Sequence, residues 1–266
     1  MRPIFCFIDD SPFELEVFSQ HIPVAAPGLE FILGSTYEEV RKKLGDRYPC
    51  LFLLDLYGRD PDLVSPGLPP REDLEARIQG HGSLQEVYAG LDDFPGDKIN
   101  EFLKRLFHLV DPWRQLFYYA SRAAGQNIKY GLGNLTAARR EFPAAAAVAY
   151  TRKSIIHDAV EVLAAGIDGL NLKPDGPDDE AIRQATAAAA PRLLETWSNQ
   201  VTQSFTNYLQ RLVLLLVKSG GDVEVPSLSS PDRLSAEVKE TLGPGEMNFL
   251  RTAAAWWSYT GHEPLI

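Results

Sequence analysis

Cysteine is nearly absent from this 266-residue chain, which has only Cys6 and Cys50. Both lie inside apolar, strand-like runs, which suits buried, reduced thiols and gives no sign of a secreted disulfide scaffold. Positive charge is also scarce, with 26 Lys and Arg against 36 Asp and Glu and a formal net charge of −10. Phosphate contacts need Lys and Arg, so the deficit argues against a general binder of nucleic acid or anionic membrane. Long hydrophobic runs are missing as well. The run Ile4–Ile8 is too short for a signal peptide and meets acid at once, and Leu212–Val217 is far too short to span a bilayer. A cytoplasmic protein is expected, with no DNA binding and no membrane. There is no internal repeat, no low-complexity tract beyond alanine clusters, and no helix-turn-helix, cyclase, phosphodiesterase or kinase motif.

What the chain does contain is apolar runs that stop at acid. Ile4-Phe5-Cys6-Phe7-Ile8 leads into Asp9-Asp10, and Cys50-Leu51-Phe52-Leu53-Leu54 leads into Asp55. Two buried strands ending this way would gather carboxylates at one sheet edge. Carboxylates packed together repel and usually share a cation. That suits Mg2+ and turns one Asp into a candidate phosphate acceptor.

The text around these runs alternates strand and helix. Ser11 can cap a helix with Pro12 at its first position, running to about His21. Leu29–Leu33 reads as a strand, and Thr36 with Glu39 opens a helix to about Leu44. The alternation breaks after Asp55. Residues 57–95 are rich in Pro, Gly and charge, with short helices expected around Arg71–Ile78 and Leu84–Ala89. Then Ile99, Phe102, Leu103, Leu106, Val110, Trp113 and Phe117 form one helical stripe. At Pro112 this helix either kinks or gives way to a second helix capped by Asp111.

Alternation resumes with a helix ending before Pro143, a strand Ala145–Tyr150 stopping at Thr151, and a helix from Ser154 through Leu163. The strand Gly169–Leu172 then precedes Lys173-Pro174. A helix from about Asp178 to Ala190 follows, and Pro191 is expected to bend the chain into a long apolar helix. Gly220-Gly221 would end that helix, residues 222–231 would form a linker, and helices at Leu234–Leu242 and Glu246–Tyr259 would close the chain.

Removing the insert leaves five strand-helix units. The expected fold is α/β: a flavodoxin-like, doubly wound parallel sheet of order 2-1-3-4-5 with an added helical subdomain. In that order Asp9, Asp10, Asp55, Thr151 and Lys173 all follow strands and face one cleft. The matching words are Phe7-Ile8-Asp9-Asp10, Leu53-Leu54-Asp55, Gly131-Leu132, Ala149-Tyr150-Thr151, Ala165-Gly166-Ile167-Asp168-Gly169 and Leu172-Lys173-Pro174. Over about residues 1–56 and 128–190 the chain resembles the receiver domain of two-component response regulators. The expected division is a receiver-like domain at 1–190, interrupted by a mainly helical insert at 57–127. An extension at 191–266 would pack on the insert.

The resemblance implies roles. Asp55 would be the phosphoacceptor. Asp9, Asp10 and Asp55 would hold Mg2+ with the backbone carbonyl of Tyr57. Lys173 and Thr151 would each contact a phosphoryl oxygen, and Lys173-Pro174 would be a candidate cis peptide. The phosphoryl source would be a sensor histidine kinase or phosphotransfer protein, and the output contact with an unknown downstream protein.

Two modulating positions depart from the family pattern. Leu170 stands where an aromatic switch residue is usual. Arg152 follows the Thr where a small residue is usual, and could clamp phosphate, cover the site or point to solvent. His81 and His108 lack a phosphotransfer context and read as solvated surface residues. The two helical additions would cover each other's apolar faces, with a partner groove or a homodimer as alternatives. The leading function is a phosphorylation switch with little enzymatic activity beyond its own phosphorylation and dephosphorylation. The alternatives are a degenerate receiver serving as a scaffold and a Mg2+-dependent hydrolase.

Overall fold

The computed structural model describes residues 2–59, 67–79, 81–152, 156–218 and 231–261. They form two compact units. One comprises the described residues of Met1–Gly58 and Ile128–Ile266, the other those of Arg59–Asn127.

The first unit is built on a parallel sheet of five strands. They are β1 (Ile4–Ile8), β2 (Glu30–Gly34), β3 (Leu51–Leu54), then β6 (Ala146–Thr151) and β7 (Gly169–Leu172). The short strands β4 (Gly58–Arg59) and β5 (Gln126–Asn127) flank the insert. The sheet order is β2-β1-β3-β6-β7, which is the expected 2-1-3-4-5 winding. β1, β3 and β6 are buried along their whole length. Continuous apolar runs rather than alternation are what a parallel sheet covered on both faces requires.

Helices α1 (Pro12–His21), α2 (Tyr37–Leu44), α6 (Lys129–Glu141) and α7 (Ile156–Ala164) are the crossovers. α1 starts as its sequence demands. Ser11 accepts a hydrogen bond from the Glu14 amide, and Pro12 supplies a first-turn residue with no amide to satisfy. The proposed helix start at Ser154, the glycine pair at 220–221 and most of the 222–231 linker lie outside the described residues.

One local expectation gives way to packing. Asp179–Lys218 is one helix, α8, of 40 residues that continues through Pro191. Burial of Ala190, Leu193, Leu194 and Trp197 on both sides of the proline offsets the one lost backbone bond. The final helix, α9 (Ala236–Thr260), is broken at Gly243, whose φ of 74° is outside the helical region, with Pro244 next. The two expected closing helices therefore exist, joined by a glycine kink.

The apolar face of the extension is buried in the same unit as the sheet. Trp197, Val201, Phe205 and Leu209 of α8 are buried, as are Phe249 and Trp256 of α9. Trp256 packs on Phe5 of β1, and Phe249 meets Tyr48, Phe205 and Tyr208. The extension is thus part of the sheet unit's core, and the expected boundary at residue 190 falls inside a helix. Trp256 and Trp257 are buried, packed aromatics.

The second unit contains α3 (Arg71–Ile78), α4 (Leu84–Tyr88) and α5 (Lys98–Ala123). α5 is a single helix through Pro112, and Asp111 pairs with Arg114 and Gln115 rather than capping a new helix. Tyr88 packs on Phe102, and the Arg77 guanidinium lies 3.6 Å from the Tyr119 ring centroid. His81, expected in solvent, is half-buried with its ring edge-on to Trp113, while His108 is exposed. No helix among the described residues is long and apolar enough to cross a membrane.

Cys6 and Cys50 are free and fully buried. Burial pushes the Cys50 thiol up to about 12 and Cys6 well above its usual value. Thiol reactivity follows the thiolate, so labelling of the native chain at pH 8 is expected to be about a thousandfold slower than that of the urea-unfolded chain. Ellman's reagent with and without urea checks this, and rapid native labelling would contradict it.

Candidate functional site

Strands β1 and β3 are neighbours, with Ile8 registered against Leu54. The next residue on each, Asp9 and Asp55, therefore leaves the sheet at the same edge. The Asp55 amide donates to the Ile8 carbonyl and the Asp9 amide to Gly34, so both aspartates remain tied to the sheet backbone. Across the sheet, Thr151 registers against Leu172, and the Lys173 amide donates to the Thr151 carbonyl. The topology thus brings Asp9, Asp10, Asp55, Thr151 and Lys173 to the edge where ligands of open α/β sheets bind.

Oxygen atoms of Asp9, Asp10 and Asp55 lie within 4.8 Å of one another. Asp9 and Asp55 are buried and Asp10 is half-buried. Burial pushes the Asp9 carboxyl up to about 7; Lys173 opposes this and the Asp55 charge adds to it. The Lys173 ammonium, also buried, donates to Asp9 and, at 3.2 Å, to Asp55. Burial works to lower the Lys173 pKa, but Asp9 and Asp55 outweigh it and hold it above the usual value. One ammonium faces three carboxylates here, and a hard cation with all-oxygen coordination fits that donor set.

Backbone packing fixes the end of β3. A Cβ on Gly131 would lie 2.7 Å from the Asp55 carbonyl oxygen, so only glycine lets α6 approach this closely. The Gly131 amide donates to the Leu56 carbonyl at 3.1 Å. Tyr57 is buried just beyond. Next to Gly131, the Tyr130 hydroxyl donates to the Ser35 carbonyl at 2.6 Å. Burial, then the charges of Asp10, Asp9 and Asp55, hold the Tyr130 phenol far above its ordinary pKa.

The modulating positions resolve differently from each other. Leu170 is half-buried against the core in register with Ala149. Arg152 does not point freely to solvent. Its guanidinium pairs with Glu14 of α1 at 2.9 Å and with Asp175 at 3.0 Å. The other Glu14 oxygen is 3.9 Å from the Lys173 ammonium. The candidate cis bond at Lys173–Pro174 is trans, as no cis peptide occurs among the described residues. A Lys-Pro pair alone does not impose the cis form, because the trans preference of X-Pro bonds persists unless packing overrides it.

Glu14, Asp175, Tyr130 and Trp197 belong to this neighbourhood and were not read from the sequence as site residues. Glu14 carried one local signal, a place three residues after the capping Ser11. That spacing suggests a capping-box acid reaching back to the Ser11 amide, but Asp9 already accepts that amide at 2.9 Å. Glu14 is therefore left to serve Arg152. Trp197 packs edge-on to Tyr150 with centroids 5.2 Å apart and donates its indole N–H to Asn171, behind the strand ends.

No family model matches this chain. No curated protein matches it either. Solved structures similar to it include a CheY-like response regulator receiver domain protein from Methanospirillum hungatei JF-1, at 15% identity and a TM-score of 0.40, covering 77% of this chain and 97% of that one. A response regulator receiver domain protein from Clostridium thermocellum is similar at 11% identity and a TM-score of 0.35, covering 73% and 98%. A response regulator protein from Burkholderia pseudomallei, solved with a phosphorylated aspartic acid, a calcium ion and citrate, is similar at 15% identity and a TM-score of 0.33, covering 84% and 89%. The flavodoxin-like fold of this chain is carried by its strand order and register.

Proposed function

We propose that the chain is a phosphorylation-dependent signalling switch with Asp55 as phosphoacceptor. The observation that carries this reading is the meeting of three carboxylates and one buried ammonium at the C-terminal ends of β1, β3 and β7. Asp9, Asp10 and Asp55, with the backbone carbonyl of Tyr57, would hold Mg2+. The ion would offset the negative charge of phosphoryl oxygens entering an acidic pocket.

Asp55 is the acceptor that the family resemblance implies; it meets Lys173 through Oδ1 at 3.2 Å, whereas both Asp9 oxygens are engaged, one by the Ser11 amide and the other by Lys173. An Asp55 oxygen attacks phosphorus, the bond from phosphorus to the donor's leaving group breaks, and that group departs with the electron pair. Lys173 and the Thr151 hydroxyl then hold phosphoryl oxygens. The donor in the cell is a sensor histidine kinase or phosphotransfer protein, and the output is contact with another protein. Acidic composition argues against DNA as the target, and two buried, reduced thiols suit the cytoplasm.

A second reading, a receiver fold serving as an unphosphorylated scaffold, draws support from Leu170 and from the ion pairs that engage Arg152. One experiment separates the two. The full chain is incubated with acetyl phosphate, with either Mg2+ or EDTA, and its intact mass is measured. A single phosphoryl addition that requires Mg2+ is expected. An unchanged mass under both conditions would support the scaffold.

A further inference from the structure

Six charged groups form an alternating chain from the rim of the pocket to its floor. Asp175 pairs with Arg152, Arg152 with Glu14, Glu14 approaches Lys173, and Lys173 bonds Asp9 and Asp55. The members differ in burial. The Lys173 side chain is 3% exposed, Glu14 17%, Arg152 22% and Asp175 73%. The Glu14–Arg152 pair is therefore partly shielded from solvent, while the Asp175 end is screened and contributes little. Glu14 and Arg152 come from opposite sides of the cleft, the first turn of α1 and the end of β6.

Resting on the phosphoacceptor reading, we propose that Glu14 is a positioning residue. It holds Arg152 at the rim, and an incoming phosphoryl group opens the arrangement by taking over the guanidinium. A phosphoryl group brings more negative charge than one carboxylate, and its oxygens suit the planar guanidinium fork bidentately. Arg152 therefore has a stronger partner available once the site is loaded. Glu14 also repels the approaching anion, being a carboxylate 3.9 Å from the ammonium that should receive it. Loading the site would detach Arg152 from α1, so the exchange reports occupancy to that helix. In the resting chain Glu14 limits entry of phosphate-bearing donors.

The test measures initial rates of phosphorylation of the full chain against acetyl phosphate concentration, with Mg2+ present. Glu14→Gln is expected to lower the half-saturating donor concentration about fivefold with little change in maximal rate, the size of one partly buried ion pair. Arg152→Ala is expected to raise it by a similar factor, Arg152→Lys to recover part of that loss, and Asp175→Asn to change it less than about twofold. A purely structural bridge would move melting temperature in both Glu14→Gln and Arg152→Ala without this opposite split. Unchanged half-saturation in Glu14→Gln overturns the proposal. So does a lower value in Arg152→Ala, which would make Arg152 a steric cover. Incorporation by Glu14→Gln but not by the wild type supports it. No incorporation by any variant would overturn the phosphoacceptor reading itself.

Discussion

Asp55→Asn is expected to lose phosphoryl incorporation altogether, a fall of at least about a hundredfold in rate, because the variant lacks the attacking group. The amide oxygen is a poor nucleophile toward phosphorus, and the side chain no longer brings a full charge to the acidic cluster. The fold should survive the change. Asp55 sits at the strand end rather than in the apolar core, and its amide remains bonded to Ile8. Lys173 keeps Asp9 as a partner. The check is intact mass after acetyl phosphate treatment, alongside far-UV circular dichroism. Undiminished incorporation in a folded Asp55→Asn chain would place the acceptor elsewhere.

Trp197→Ala should cost the most stability, about 3–5 kcal/mol. The indole is fully buried, stacks on Phe18, meets Tyr150 edge-on and donates to Asn171 at 3.0 Å. Truncation leaves a cavity and removes the partner of the partly buried Asn171 side-chain carbonyl, and these penalties add. Typical domains have only about 5–15 kcal/mol in total, so the loss is a large share of the stability. Urea unfolding followed by far-UV circular dichroism measures it. A shift below about 1 kcal/mol would mean that α8 is an appendage rather than part of the sheet unit's core.

The fold and the floor of the site were legible because parallel strands write themselves locally. Each strand is a short apolar run, and the polar residue that stops it is the residue delivered to the cleft. Asp9, Asp55, Thr151 and Lys173 could all be named that way. The strand order followed from the winding rules once the insert was set aside. The rim was not legible. Arg152 meets Glu14 across 138 positions, and nothing in the local text of either residue foretells the pair. The single local cue at Glu14 pointed to helix capping, a bond that Asp9 takes. Pro191 misled for a related reason: burial along α8 outweighs a one-residue rule.

The same contrast locates the extension. Its apolar stripe was plain in the sequence, but a stripe does not name what covers it. The aromatic partners Phe5 and Tyr48 come from a strand and a loop far earlier in the chain, and only the assembled core shows Trp256 and Phe249 packed against them.

The most direct measurement identifies the modified atom. The chain is phosphorylated with acetyl phosphate and Mg2+, the acyl phosphate is reduced with borohydride, and the peptides are mapped. An aspartyl phosphate yields homoserine at its own position, so homoserine at position 55 alone is the expected result. Homoserine at another aspartate, or none anywhere, would contradict the account.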